Sequence, residues 1–410
     1  MSRNEITRAS GGYTLTAMTL LSRAAVIAGV AALGVATPAY TLPPAASPAG
    51  VPGNGASHTP DVSGTGRYVV FASDATNLVP GDTNGKRDIF LRDTVTRTTR
   101  LVSTGLRGRP ANGPSYRPTV SDNGRYVAFT STATNLVAGD TNRVMDAFRA
   151  DLTTGRVTRI SVGPGGRQAN KATTRVSMSA AGTTLAFDSD ATNLVGGDTN
   201  AVRDVFLRDL TARAPIRISL SATGTQRRLP SNNASISPNG NLVGYTADAN
   251  DNPRDDATIS VWEWARATKK ATVIANGWDG LVGDADYPSD PRTSNAGTSY
   301  AEDLVYTTYC TFVAKPAAYS DSFECLGGYD SFDISKWGAV KVVAHAVGYD
   351  YPLMAIGPGI ETGVDVYAAF VSISGDGTTA AFTSNDGGPT QVTVWDIGTG
   401  TLTTASTSNG

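Results

Sequence analysis

The chain has 410 residues, with 34 Lys and Arg against 36 Asp and Glu, charged residues at only 17%, and 44 glycines. So sparse and balanced a charge offers no basic field for nucleic acid or an anionic membrane, which argues against both as partners. Two histidines and two cysteines leave no material for a multi-histidine metal centre.

The N-terminus reads as an export signal. After Arg23 comes an uncharged run, Ala24 to Ala36, followed by small residues and prolines. Thirteen residues at about 1.5 Å each fall short of a bilayer core of roughly 30 Å, so no permanent span is expected. A basic flank, a short apolar stretch and a small-residue exit suit a cleavable signal peptide. Gly34 and Ala36 fit the −3 and −1 positions, cleavage after Ala39 competes with them, and Met18 offers a neater start than Met1. Residues 1–39 are thus a signal peptide and leader, and 40–48 a Pro/Ala-rich linker. Beyond residue 40 the chain carries 31 basic and 35 acidic residues.

From there a sequence unit recurs. Ser63–Asp93, Ser121–Asp151 and Ser179–Asp209 match almost residue for residue, with starts 58 apart. A fourth start falls on schedule at Ser237, a fifth at Ser294 is one residue early, and a sixth at Ser374 follows a longer gap. Each unit reads as four short strands. A strand such as Tyr116–Val120 ends in a Ser-x-x-Gly turn, the second follows at Arg125 to Thr130, and a long polar loop leads to the third at Asp146. A hairpin around Asp151–Gly155 gives the fourth. Four-stranded units at a period of 40 to 60 residues, without helical periodicity, indicate propeller blades. The expectation is an all-β, six-bladed β-propeller of four-stranded antiparallel blades over 49–410, preceded by a signal peptide.

The core Ser-x-x-Gly-Arg-Tyr-Val-Ala-Phe followed by Asp-x-Phe-x-Arg-Asp-Leu resembles the TolB-type, WD-like propeller repeat of bacterial exported proteins. The resemblance covers residues 50 to 250 well, 370 to 405 acceptably, and 275 to 370 poorly. It implies the fold. Such propellers serve as binding platforms and as accessory domains of enzymes, so function has to come from a site.

The loop between second and third strands is the most regular polar feature. It presents Asp82, Asn84 and Asp88, then Asp140, Asn142 and Asp146, then Asp198, Asn200 and Asp204. Alternating oxygen side chains are how short loops wrap Ca²⁺, yet positions 86, 144 and 202 hold Lys, Val and Ala where a further ligand belongs. The competing expectation is that these Asx residues fix the turn through backbone N–H groups, with no cofactor. Arg92 and Arg208 alternate with Phe90 and Phe206 along the third strand, which suggests ion pairs between blades or with hairpin carboxylates; a substrate-binding arginine ring around the channel is the sharper alternative.

No catalytic constellation stands out. His58 occupies an ordinary blade position, shared by Tyr116, Thr174 and Asn232 in the next units, and His345 sits in an alternating apolar run. No Gly-x-Ser-x-Gly elbow accompanies either.

Residues 300–351 break the repeat and hold 11 of the 31 aromatics. Cys310 and Cys325 fall inside this stretch, and a disulfide is expected for an isolated pair in an exported chain. An insertion pinned in this way, with Tyr309, Phe323, Tyr329 and Trp337, suits a partner-binding surface; the alternative is that the aromatics pack a degenerate blade. The chain thus reads as a secreted or envelope-associated monomeric scaffold for a protein or glycan partner. The alternative is a hydrolase or lyase with acids, and Ca²⁺, at the central channel.

Overall fold

Alternating apolar residues and turn glycines produce a strand meander throughout. The computed structural model describes residues 50–410 apart from 222, 249–250, 252–258, 276–290, 296–297, 303–308, 315–319, 325–328, 336–340, 346–352, 358–359, 365, 367, 385–387 and 410. Several strands after residue 297 are described by their backbone alone. The expected leader and linker, Cys325 and Trp337 lie outside the described residues, and the disulfide and cleavage expectations with them.

The first sheet comprises β1 (Ser57–Val62), β2 (Tyr68–Ser73), β3 (Asp88–Asp93) and β4 (Thr98–Leu101). The second comprises β5 (Ser115–Val120), β6 (Tyr126–Ser131), β7 (Asp146–Asp151) and β8 (Arg156–Arg159). The third holds β9 (Thr173–Met178), β10 (Thr184–Ser189), β11 (Asp204–Asp209) and β12 (Ile216–Arg217). The fourth holds β13 (Ser231–Ile236), β14 (Leu242–Asp248), β15 (Ile259–Ala265) and β16 (Lys270–Ala275). In the fifth, β17 (Arg292–Thr293), β18 (Thr298–Glu302), β19 (Tyr309–Ala314) and β20 (Ser320–Glu324) follow. The sixth is β21 (Tyr329–Ile334), β22 (Lys341–His345), β23 (Leu353–Gly357) and β24 (Ile360–Val364). The seventh is β25 (Ala368–Ile373), β26 (Thr379–Ser384), β27 (Gln391–Asp396) and β28 (Thr401–Thr404).

Each sheet is antiparallel and built from consecutive strands. The first strands of successive sheets pack on one another, and β25 packs on β1. The ring is closed, and this is a β-propeller.

The blade number corrects the sequence expectation. Seven four-stranded sheets replace six, because the long gap between Ser294 and Ser374 contains two blades. Residues 300–351 supply strands of the fifth and sixth sheets, where an insertion was expected.

Two devices hold the regular blades together. Second and third strands bury stacked aromatic pairs: Phe71 on Phe90 (ring centroids 6.0 Å apart), Phe129 on Phe148 (6.0 Å) and Phe187 on Phe206 (5.5 Å). The Ser-x-x-Gly turn of one blade meets the tyrosine of the blade before it. Gly124 has φ +68°, and a Cβ there would lie 2.1 Å from the Tyr68 ring, so both conformation and space require glycine. The ends are joined where the Gly53 N–H donates to the Ser406 carbonyl (3.0 Å) and the Ser408 N–H to the Val51 carbonyl (2.9 Å).

Candidate functional site

A meander places its loops on two faces. The turns after the first strands and the hairpins after the third lie on one face; the long loops after the second strands lie on the other. The first strands of all seven sheets line a central cavity of 330 Å³, which reaches the turn face at Asp122, Ala180 and Pro238.

The cavity wall owes its polarity to a bulge. Register shifts fall between His58 and Asp61 in β1, Tyr116 and Thr119 in β5, and Asn232 and Ser235 in β13. At these bulges Thr59, Arg117 and Asn233 adopt φ of 44°, 47° and 61°, unusual for residues with a Cβ. Arg175 of β9 stands at the same repeat position, 58 residues after Arg117.

Two residues beyond the bulge, side-chain oxygens stitch blade to blade. The Val120 N–H donates to Asp61 Oδ2 (2.7 Å), Ile236 N–H to Ser177 Oγ (3.1 Å), Thr293 N–H to Ser235 Oγ (3.0 Å), and Ile373 N–H to Asp333 Oδ2 (3.0 Å). Ser372 Oγ donates to Asp61 Oδ1 (3.0 Å), closing the seam between seventh and first sheets. The other oxygen of Asp333 lies 3.4 Å from Arg292 Nε. Serine suffices for this bond at 177 and 235, so the carboxylates at 61 and 333 add charge to a role that does not need it.

Asp61 keeps some surface toward the cavity but is enclosed by protein. That desolvation, against the bond from Val120 and with the Asp333 charge added, pushes its pKa up to about 6. Asp188 of β10 is likewise raised to about 6 by burial, while its oxygens accept the N–H groups of Asn233 (2.7 Å) and Ala234 (3.1 Å). Asp61, Asp333 and the arginines 117, 175 and 292 are the residues that the sequence reading did not single out; the bulge that aims them leaves no signature in composition.

The nine loop residues singled out from the sequence belong to the opposite face, away from this cavity. Within each loop they come together. Asn84 Nδ2 donates to Asp88 Oδ2 (2.5 Å) and the Ala111 carbonyl (2.9 Å); Asn142 does so to Asp146 (2.8 Å) and Ala169 (3.0 Å), and Asn200 to Asp204 (3.1 Å) and Arg227 (2.9 Å). The other oxygen of each third-strand aspartate accepts from Ser103, Ser161 or Ser219 (2.5, 2.5 and 2.6 Å). Each loop is thereby tied to its own fourth strand and to the start of the next blade. In two loops an arginine completes the node. Arg159 Nη2 lies 3.2 Å from Asp140 Oδ1, and Arg217 Nη1 lies 3.3 Å from both Asp198 Oδ1 and Asp204 Oδ2. No group of three or more His, Cys, Asp or Glu is placed to hold a metal among the described residues.

His58 sits between Asp74 (3.5 Å) and Arg87 (3.2 Å), where burial and the guanidinium hold its pKa down against the pull of Asp74. Arg92 donates to Thr99 Oγ1 (2.9 Å) and Arg208 to the Ala212 carbonyl (2.9 Å), so both arginines brace their own blades. Tyr309 lies on β19, Phe323 on β20 and Tyr329 on β21, in two different sheets. No helix among the described residues is long and apolar enough to cross a membrane.

No protein-family model and no curated protein matches the chain. Solved structures share its fold. An oligogalacturonate lyase in complex with manganese is 11% identical, with a TM-score of 0.54 over 86% of this chain and 90% of that one. A prolyl endopeptidase, also 11% identical, has a TM-score of 0.53 over 86% of this chain; the chain spans 49% of that structure. A TolB from Agrobacterium tumefaciens is 14% identical at a TM-score of 0.42, covering 77% of this chain and 86% of its own. At these identities the likeness shows the β-propeller fold alone, and the structures that share it include enzymes.

Proposed function

We propose that the protein is exported and acts as a non-enzymatic binding module for a protein or glycan partner, engaged at the turn-face mouth of the central cavity. The observation that carries this reading is the use made of the cavity carboxylates. Asp61 and Asp333 accept backbone N–H groups of the neighbouring blades, which ties them to ring closure. Arg117 and Arg175, at one repeat position in adjacent blades, put positive charge on the cavity wall, Arg175 while donating to Asn233 Oδ1 (3.1 Å), and this charge favours a partner that offers a carboxylate. The sparse surface charge and the N-terminal signal are consistent with a role outside the cytoplasm.

The test is capture from an envelope extract by chain lacking residues 1–39. An Arg117→Glu, Arg175→Glu variant that melts like the parent should lose the captured partner. Retention of the same partner by that variant would remove the cavity from the reading.

A second reading rests on the raised pKa of Asp61 beside Asp333, an environment suited to proton transfer. It makes the protein a lyase or hydrolase of acidic glycans. Turnover of oligogalacturonate with added Mn²⁺, abolished by Asp61→Asn, would establish it; no turnover leaves the binding role.

A further inference from the structure

The three near-identical loops differ at one buried position. In the second sheet Arg159 stands between Asp140 and Asp146, with the arginine side chain 6% exposed and the carboxylates 3% and 0%. In the third, Arg217 Nη1 lies 3.3 Å from each of Asp198 and Asp204, both 1% exposed. The corresponding residue of the first sheet, 58 before Arg159, is Leu101. Asp82 and Asp88 are there all the same, 6% and 0% exposed.

Among the described residues nothing replaces the missing guanidinium. Neither carboxylate oxygen of Asp82 makes a hydrogen bond of full geometry, although both are shielded from solvent, and the neighbouring group that acts on it is the neutral Asn84 backbone N–H. Asp88 has its two bonds from Ser103 and Asn84, but no basic side chain acts on it. A second difference points the same way. Gln168 donates to the Gly139 carbonyl (2.6 Å) and accepts the Thr141 and Asn142 N–H groups (3.1 Å each), filling the second loop with an amide. The residue at its position in the first blade is Pro110, which can do neither. The first loop has therefore lost a cation and a polar plug while keeping both anions. Two buried carboxylates without a counter-charge are costly; a proton on one relieves part of that cost, and a cation between them relieves it while leaving both ionised.

We propose that the loop joining β2 and β3 binds one Ca²⁺ between Asp82 and Asp88, in the place that Arg159 and Arg217 fill in the next two blades. The donors are all oxygen: both oxygens of Asp82, the edge of Asp88, and the loop backbone around Gly81, with water for the remainder. Hard oxygen donors on a turn-rich loop suit Ca²⁺ better than a transition metal, which would seek imidazole or thiolate. Of the three blades that share this loop, the first carries the site alone, because the second and third carry their own guanidinium. The ion would pin the long loop of the blade that joins the two chain ends.

The experiment is titration of chelator-treated protein with CaCl₂ by calorimetry, with the melting temperature followed in parallel. The expected result is one site per chain and a rise of a few degrees at saturation, since an ion that binds only the folded state stabilises it. Asp82→Asn should weaken binding about tenfold or more, the effect of removing a charged ligand from a hard-ion site. Leu101→Arg should abolish the heat of binding and melt no lower than the calcium-free parent, because it supplies the charge that the ion brings. If that variant does not fold, Asp82→Asn decides alone. A parent that gives no heat and no melting shift at millimolar calcium overturns the proposal. Binding that Leu101→Arg leaves in place, or that Asp82→Asn leaves at the parent's affinity, overturns it too, since the ion then lies elsewhere.

Discussion

The first three blades and the pair spanning Arg292 to Val364 have the same four-stranded plan and almost no sequence in common. In the regular blades 58 residues include a long loop: β2 ends at Ser73 and β3 begins at Asp88. In the pair, β18 ends at Glu302 and β19 begins at Tyr309, while β22 ends at His345 and β23 begins at Leu353. The Asp-Thr-Asn loop is thus an addition to the blade and not a condition of it. What the fold requires is the meander, the tight first turn and an inner strand that packs on its neighbours. What the regular blades add is a buried polar node that locks each loop to the next blade.

This contrast can be broken most sharply by excision. If residues 300–351 were an insertion on a six-bladed ring, deleting them would leave a folded protein. The segment instead holds strands of the fifth and sixth sheets, so without it β25 loses the β21 strand it packs against and the ring cannot close. The expected outcome is loss of cooperative thermal unfolding, measured by calorimetry on the deleted chain. A sharp transition near that of the parent would return the segment to the status of an insertion.

Part of the additional blade, the sixth in chain order, was legible. Ser335, Lys336, Trp337 and Gly338 repeat the Ser-x-x-Gly pattern, 41 residues after Ser294 and 39 before Ser374. A period anchored on 58 passes over it, because loop length costs little free energy and varies between blades while the turn does not. The regular blades were readable because glycine at positive φ and alternating strands leave strong local signals. The cavity residues were not. Asp61 and Arg117 reach the channel through a bulge whose strain is held by tertiary packing, and no local preference announces it. The contrast of Leu101 with Arg159 and Arg217 is visible on aligning the units, but only the fold shows that this position faces two buried acids.

A smaller effect separates turns that join blades from loops that do not. Gly124 and Gly139 share positive φ, 68° and 71°. A Cβ on Gly124 collides with Tyr68 of the preceding blade, whereas one on Gly139 meets nothing within 4 Å. Gly124→Ala should therefore cost about 2–4 kcal/mol, conformational strain plus overpacking, and Gly139→Ala only about 1 kcal/mol. Denaturant unfolding of the two variants measures the difference. Equal costs would mean that the turn is not held against its neighbour.

The smallest expected effect concerns the inner seam and carries a definite sign. Asp61 and Asp188 have pKa values raised to about 6, above the 3.8 of a solvated aspartate, so the folded state holds their protons more tightly than the unfolded chain does. Their contribution to stability is complete below pH 4 and is lost as pH rises through 6. Asp93, held at about 2 by Arg67 and the Val95 and Thr96 N–H groups, works in the opposite sense: its contribution is present above pH 4 and is lost as pH falls toward 2. The two effects occupy different windows and can be told apart. Asp61→Asn keeps an oxygen for the Val120 N–H and an amide for Ser372 while removing the charge from the cavity. Its melting temperature relative to the parent should rise between pH 4.5 and 7.5, by an amount equivalent to about 1–2 kcal/mol, since the cavity partly solvates the carboxylate. The same difference at both pH values would show that Asp61 does not change its protonation in this range, and would withdraw the support that its raised pKa lends to proton-transfer chemistry in the cavity.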